Sequence, residues 1–491
     1  MSTLDTPNSS DQHRVGRIIG FTVTAAVLTA VGAILMMTVD GSLGWTIPAA
    51  IAAIAVAIKW PWVFFGLVIA SYSIIPMGGY VWRLHVPDTT QLLVPALTMS
   101  VLASAVSRKR WGTFSLRVAD VFVLALIAVG FIGMLMEPRF TNWKMFGKEF
   151  LFGVAYYFII RWVDIDRERF ERILKWVAGA AAFMLADILL VQLTGIGRIW
   201  LGQGPMGNEA DQGTYSALFP PMFLYLAALH DRKGDRRRTL LWLAIAAVGL
   251  LAIANIPKRS AVAAALLAVG FCALHPRMRK HVLIGGLCLL PIAALWLGSS
   301  HGQALHSKFT DPADPGLRRR YYRQRALNYM RSEEWQPLWG TGFWKLKDLS
   351  AGSLSETELV WDANKEYWRP ANELGGYDRN IHCSPLMLLG EFGYAGTAAF
   401  IAVLLSVAVS VARAYRSAGH QRARFDSALI VALTGSALGL LLNASYHNTI
   451  HQVPVVVLFW TVTGLLVGHP NILILNNRAN EDEEGSDVNK R

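Results

Sequence analysis

The chain has 491 residues, of which 53% are hydrophobic and 16% charged, with a formal net charge of +12 and a mean hydropathy of +0.36. Too few polar side chains are present to coat a water-soluble globule of this length, which excludes a large soluble enzyme, and the apolar content excludes a disordered chain. Three scattered cysteines, Cys272, Cys288 and Cys383, exclude a disulfide scaffold. The expected class is an all-α polytopic membrane protein with the lipid bilayer as its first partner; no nucleic-acid partner is expected, because the basic excess bears on sidedness.

A helix needs about 20 apolar residues to cross about 30 Å of hydrocarbon, and lipid offers no partner to open backbone groups. Fourteen apolar stretches are expected as helices, near 17–38, 44–58, 61–78, 90–106, 119–136, 149–162, 173–194, 213–230, 239–257, 260–274, 282–299, 383–412, 427–446 and 453–468. The first follows Arg14 and Arg17 and lacks a small-residue cleavage pattern, so it reads as an uncleaved anchor with the N-terminus inside. That orientation gives the inner segments 27 Lys and Arg and the short outer loops 7, as the positive-inside rule requires, with both ends cytoplasmic.

The chain then divides into residues 1–299 with helices 1–11, a large outer loop at 300–382, residues 383–468 with helices 12–14, and a cytoplasmic tail at 469–491. The outer loop holds the other 12 of the 46 basic residues; 321–332 reads as a short helix, and Asp311 with Pro312 and 372–378 read as turns. The tail carries the acidic run Glu481, Asp482, Glu483 and Glu484 and reads as disordered. No internal repeat is found.

Cations placed outside run against the topological bias. Arg83, Arg139, Lys144, Lys148, Arg198, Lys258 and Arg259 sit at outer helix ends, and Arg318, Arg319, Arg320, Arg323 and Arg325 cluster in the loop. Guanidinium forks bind phosphate oxygens bidentately, which suits an anionic headgroup, while the plainer reading of any one of them is snorkelling to lipid phosphates. Arg259, between Lys258 and the apolar 260–271, reads as functional because it lies at a helix mouth where a buried charge needs a partner. His382, the last polar residue before a long span, can exchange a proton with a sugar hydroxyl; its plainer reading is an interfacial hydrogen-bonder. His447 and His451 have metal-ligand spacing without a completing Glu or Cys, so no metal is expected. Glu391 and Asp187 are carboxylates at membrane depth, Asp187 reading as structural.

Four segments in order resemble the O-antigen ligase and O-antigen polymerase family of bacterial envelope glycosyltransferases. They are Gly207-Asn208-Glu209 before an apolar stretch, Lys258-Arg259-Ser260 opening a small-residue helix, and the Arg319 and Arg320 region leading through Ala326-Leu327 to Pro337-Leu338-Trp339-Gly340-Thr341-Gly342-Phe343. The fourth and most specific is His382 through Leu386 to Gly390-Glu391-Phe392-Gly393-Tyr394-Ala395-Gly396. The resemblance covers roughly 200–400; Lys258 stands where the family usually has Ser and Cys383 where it often has Asn.

The resemblance implies a GT-C-like fold in the bacterial inner membrane that takes a glycan from an undecaprenyl-pyrophosphate donor and transfers it, at the periplasmic face, to a sugar acceptor, either a lipid-linked repeat or lipid A core. It implies no cofactor, and catalysis by Arg259, Arg319 or Arg320 on the pyrophosphate and His382 on the acceptor, with inversion at the anomeric carbon. Lys258, Arg323, Asn208 and Glu391 are the expected substrate-binding residues. Polymerase is favoured over ligase by the span count and the long loop.

The competing reading is a transporter or flippase of anionic lipid-linked glycans, which should show discontinuous helices or an inverted repeat; the sequence gives neither. An assembly protein would explain the spans but not the ordered Arg and His motifs. Trp335, Trp339, Trp344, Trp361, Tyr367 and Trp368 in the outer loop read as interfacial anchors ahead of sugar platforms. The loop is expected to lie on the membrane and close over the pocket.

Overall fold

The computed structural model describes residues 59–71, 73, 116–136, 143, 146–163, 165–194, 209–256, 259–298, 303, 316–333, 335–343, 346, 359–362, 367–370, 383–418, 425–446 and 453–475. The expected spans at 17–38, 44–58 and 90–106 lie outside these residues, as do His447, His451, Arg83, Arg139, Lys144, Arg198, the turns at 311–312 and 372–378 and the acidic run of the tail.

The described helices are α1 (Pro61–Ser71), α2 (Val118–Met136), α3 (Phe152–Trp162), α4 (Arg167–Thr194), α5 (Glu209–Ser216), α6 (Pro220–Arg232) and α7 (Arg236–Asn255). They continue with α8 (Arg259–Cys272), α9 (Pro276–Leu297), α10 (Gly316–Met330), α11 (Ser384–Ser417), α12 (Ser427–Ala444) and α13 (Val453–Gly468). Five helices are long and apolar enough to cross a membrane, Val118–Met136, Arg167–Leu190, Arg236–Asn255, Ser384–Ser417 and Ser427–Ala444, and Ser260–Cys272 and Val455–Gly468 are shorter apolar helices. This is a helical membrane protein.

The architecture departs from uniform spans in four places. The expected helix at 213–230 is two, because Pro220 and Pro221 cannot donate to the Ser216 and Ala217 carbonyls; Ala217 and Leu218 form the turn between them, and the Leu218 carbonyl accepts from Ser436 Oγ at 2.7 Å. The stretch at 149–162 begins as a π-helical turn, Phe146–Leu151, before α3. The span from 383 is interrupted at Gly393, whose φ of 63° and ψ of −165° lie outside any helix. The 300–382 stretch holds strands, so the chain is not purely α: β1 (Leu359–Asp362) pairs antiparallel with β2 (Tyr367–Pro370), Trp361 opposite Trp368.

Lipid tails are as apolar as Leu, so helices associate in a bilayer through close packing over small residues. Gly435 and Gly439 of α12 lie against the carbonyls of Ala268 and Ala264 of α8, where an added Cβ would stand 2.7 and 2.8 Å away. The pairing is antiparallel, and continuing its register sets Arg259 opposite Ala444. Gly464 of α13 approaches the Tyr157 carbonyl of α3 as closely, with a Cβ reaching 2.6 Å.

At the end of the bundle where α2 and α4 begin, two buried carboxylates anchor the chain. Asp120, fully buried, accepts from Tyr157 Oη at 2.7 Å, the Arg117 amide at 2.6 Å and the Arg161 guanidinium. Asp426 caps α12 through Leu429 N at 3.1 Å and accepts from Arg167 and Tyr225 Oη, both at 2.6 Å. Arg117 also donates to the Val467 and Gly468 carbonyls that end α13, and Arg167 to that of Ile472 just beyond it, so the two arginines hold the end of α13 and the turn that follows.

Candidate functional site

The opposite end gathers the described parts of the four motifs. α5, which starts at Glu209, packs on α8, which starts at Arg259. Asn443 Nδ2 near the end of α12 donates to Thr214 Oγ1 of α5 at 2.7 Å, which puts α5 level with the last turn of α12. Arg319 and Arg320 lie near the start of α10. Farther along that helix half-buried Arg323 donates to the Ser445 carbonyl just past α12, its guanidinium 5.8 Å from the Tyr446 ring centroid. Ala326 and Tyr329 of α10 pack with Leu346, Met387, Leu386 and Cys383 at the start of α11. His382 itself, Asn208 and Lys258 lie outside the described residues, and His382 immediately precedes Cys383, the N-cap of α11.

The third and fourth motifs meet directly. In an unbroken helix the Tyr394 and Ala395 amides would donate to the Gly390 and Glu391 carbonyls. At the Gly393 break they donate to the Pro337 and Leu338 carbonyls instead, at 2.8 and 3.1 Å, while the freed Gly390 and Glu391 carbonyls accept from Thr341 N and Gly342 N at 2.9 and 3.1 Å. Two helical bonds are thus replaced by four to the loop, so that these four backbone groups all have partners; each group would cost about 1–3 kcal/mol if buried alone.

Glycine is required on both sides of this junction. Gly340 and Gly342 have φ of 75° and 86°, and a Cβ on Gly393 would stand 2.5 Å from the Gly340 amide. On the other flank Gly133 of α2 receives the loop: its Cβ would stand 2.8 Å from Gly342 Cα. Thr341 and Phe343 are 7% and 1% exposed, and the Phe343 ring joins Phe146, Phe150 and Phe392 at centroid separations of 5.6 to 6.0 Å. This part of the loop before α11 therefore enters the bundle between α2 and α11 instead of lying over it.

Trp335 corrects the reading of the loop aromatics: it is 7% exposed, donates Nε1 to the Gly390 carbonyl at 3.3 Å and stands edge-on to Tyr394 at 5.7 Å. Trp339 packs, partly buried, on the aromatic cluster. Glu391 is 1% exposed, on the last turn before the break. Asp187 is half-buried on α4. Sequence reasoning missed Gly133 and the π-helical turn bearing Phe146 and Phe150; only the Gly130 and Gly133 spacing on α2 hinted at close approach.

Beside the junction lies a cavity of about 350 Å³ between α2, α11, α12 and α13. Its walls are Leu126, Phe150, Phe343, Leu388, Phe392, Leu441, Val456 and Trp460 among other apolar residues, with Ser384 and Thr397 the only hydroxyls among the described lining residues, and Ser384 and Ala444 bring one end of it to the motif end. An apolar slot with one end near cationic helix ends can take part of a hydrocarbon chain whose head is anionic. No family model matches the chain, and no curated protein matches it.

Proposed function

We propose that this chain is a membrane glycosyltransferase of the O-antigen ligase and polymerase type, acting at the outer face of a bacterial inner membrane on a glycan carried by undecaprenyl pyrophosphate. The observation that carries the reading is convergence: the helices opened by Glu209, Arg259 and the Arg318 to Arg320 run, together with the start of α11, share one end of the bundle beside an apolar cavity. The cavity has room for a few isoprene units of a polyprenyl chain, and in this reading the pyrophosphate would meet Arg259 and Arg319 or Arg320, with Lys258, Arg323, Asn208 and Glu391 completing the binding set. Arg323 is also tied to the end of α12.

In the proposed reaction an acceptor hydroxyl attacks the anomeric carbon, its proton passes to His382, and the bond from that carbon to the pyrophosphate oxygen breaks. The departing pyrophosphate carries the electron pair, and preorganised guanidinium groups stabilise that charge. The donor is already activated, so no nucleotide sugar enters the scheme. One in-line displacement inverts the anomeric centre. The acceptor is a second lipid-linked repeat in the polymerase form, which the long outer loop favours, or lipid A core in the ligase form.

The transporter reading gains one observation, the interruption of α11 beside buried Glu391, since discontinuous helices line transport sites. Membrane vesicles supplied with carrier-linked glycan separate the two. Transfer is expected to run in wild type and to fall by on the order of a thousandfold in a correctly inserted His382→Ala variant, as for loss of a general base. Movement of the glycan across the bilayer without a change in its linkage would support the transporter instead.

A further inference from the structure

The Trp335–Phe343 segment has the sequence character of a mobile outer loop, yet its backbone makes four hydrogen bonds to α11 at the Gly393 interruption. The chain then continues to Leu346, fully buried between Ala326 of α10 and Met387 of α11. Swinging the segment away would strip four backbone groups of their partners and empty the notch at Gly133. A segment so held is a fixed part of the bundle, and it ties the arginine-bearing α10 to the helix that begins two residues after His382.

We propose that Trp335–Phe343 is a permanent latch, and that Gly340, Gly342 and Gly393 are positioning residues that set α10 against the start of α11. Gly133 is the fourth member, from the α2 side. The three latch glycines act through backbone conformation and close approach: each has positive φ, and a Cβ on each would lie within 2.6 Å of backbone atoms across the junction. Gly234 supplies the contrast, because it has φ of 72° with nothing near its Cβ position. Its replacement strains the backbone without separating two elements. The purpose of the positioning rests on the transfer reading, whereas the docking itself does not.

Two arms test this in the full-length protein in its membrane, with Cys272 and Cys288 replaced by Ala and Cys383 by Ser. In the first, Thr341→Cys is exposed to a membrane-impermeant maleimide. The thiol is expected to resist labelling in the otherwise unchanged protein and after Gly234→Ala. It is expected to react at least about tenfold faster after Gly393→Ala or Gly340→Ala, as the buried site opens. Rapid labelling without a glycine substitution, or continued protection in well-inserted Gly393→Ala protein, would overturn the latch.

In the second arm, Leu338→Cys and Ala395→Cys, adjacent through the Ala395 N to Leu338 O bond of 3.1 Å, are bridged by a short bis-methanethiosulfonate and released by reductant. Turnover is expected to be the same bridged or released, and Gly393→Ala is expected to lower kcat by on the order of a hundredfold with donor KM unchanged, as for a misplaced catalytic group. Turnover that stops on bridging and returns on reduction would make the segment a moving lid and overturn the proposal. The bridged pair is read on an intact Gly393, so it decides the question even where Gly393→Ala does not fold. A wild type without transfer would sink the function, while the labelling arm would still read the docking.

Discussion

Asp426 sits among three elements: it caps α12, and its carboxylate accepts from Arg167 of α4 and Tyr225 of α6. Removing one member of a buried ion pair leaves the other charge stranded, which costs about 3–5 kcal/mol. Asp426→Ala is therefore expected to lower the unfolding midpoint of detergent-solubilised protein sharply, and Asp426→Asn, which keeps an acceptor for Leu429 N, to lower it less. An unchanged midpoint in the Ala variant would show that the pair holds nothing together. His275, on the turn between α8 and α9, gives a pH dependence. Burial, and then the neighbouring Arg277, hold its imidazole below the ordinary value, with Asp426 opposing. A base with a depressed folded pKa stabilises the fold where it is neutral, so that stability is present above the ordinary value near 6.5 and declines as pH falls below it. The midpoint should drop between pH values of about 7.5 and 5.5, and His275→Gln, which can still bond Ser427, should remove part of that drop. At this scale the sequence was partly legible. Arg117, Arg161 and Arg167 read as inner-side basic residues, but Asp426 lies 259 positions from Arg167, and pairing across such a separation leaves no local pattern.

Helix identity was the more readable scale because apolar length decides it: α2, α4, α7, α11 and α12 fall where hydropathy places them. Breaks were less readable. Pro220 and Pro221 announce one, and the split between α5 and α6 follows from their missing N–H groups. The Gly393 break has no such signal, because a glycine inside an apolar run is common in membrane helices; what makes it a break is the docked Pro337–Phe343 segment, a tertiary partner. The β1 and β2 hairpin was missed although two short aromatic runs flank a four-residue connection containing Asn364. Close helix contact was foreshadowed by spacing: Gly435 and Gly439 on α12, Ala264 and Ala268 on α8. Gly439→Leu should force these helices apart and destabilise the protein by about 2 kcal/mol or more, measured as lost monodispersity and a lower midpoint. Gly270, with open space at its Cβ, should accept Ala in the same assay, and equal losses at the two positions would remove the close-packing account.

Taken whole, the molecule has two unlike ends. One carries Arg161, Arg167, Lys233 and Lys280, paired with Asp120, Asp426, Glu171 and Asp231, and Arg117 on the last carbonyls of α13; the other carries the ordered motifs, the latch and one end of the apolar cavity. The charge asymmetry is what the positive-inside rule asks of a membrane protein whose motif end faces outward. In the proposed function the polar groups of the motif end meet the outer surface, where a carrier lipid would present its head to the Arg helices while its tail stays in hydrocarbon. That division of labour is the central claim. Its most direct test is the size distribution of carrier-linked glycan in cells lacking the protein, complemented with wild type or with His382→Ala. The account predicts that wild type restores the normal profile while the variant, inserted at the same level, leaves donor accumulated on the outer face, as single repeats for a polymerase or long chains for a ligase. An unchanged profile in the deletion, or glycan trapped on the cytoplasmic face, would contradict it.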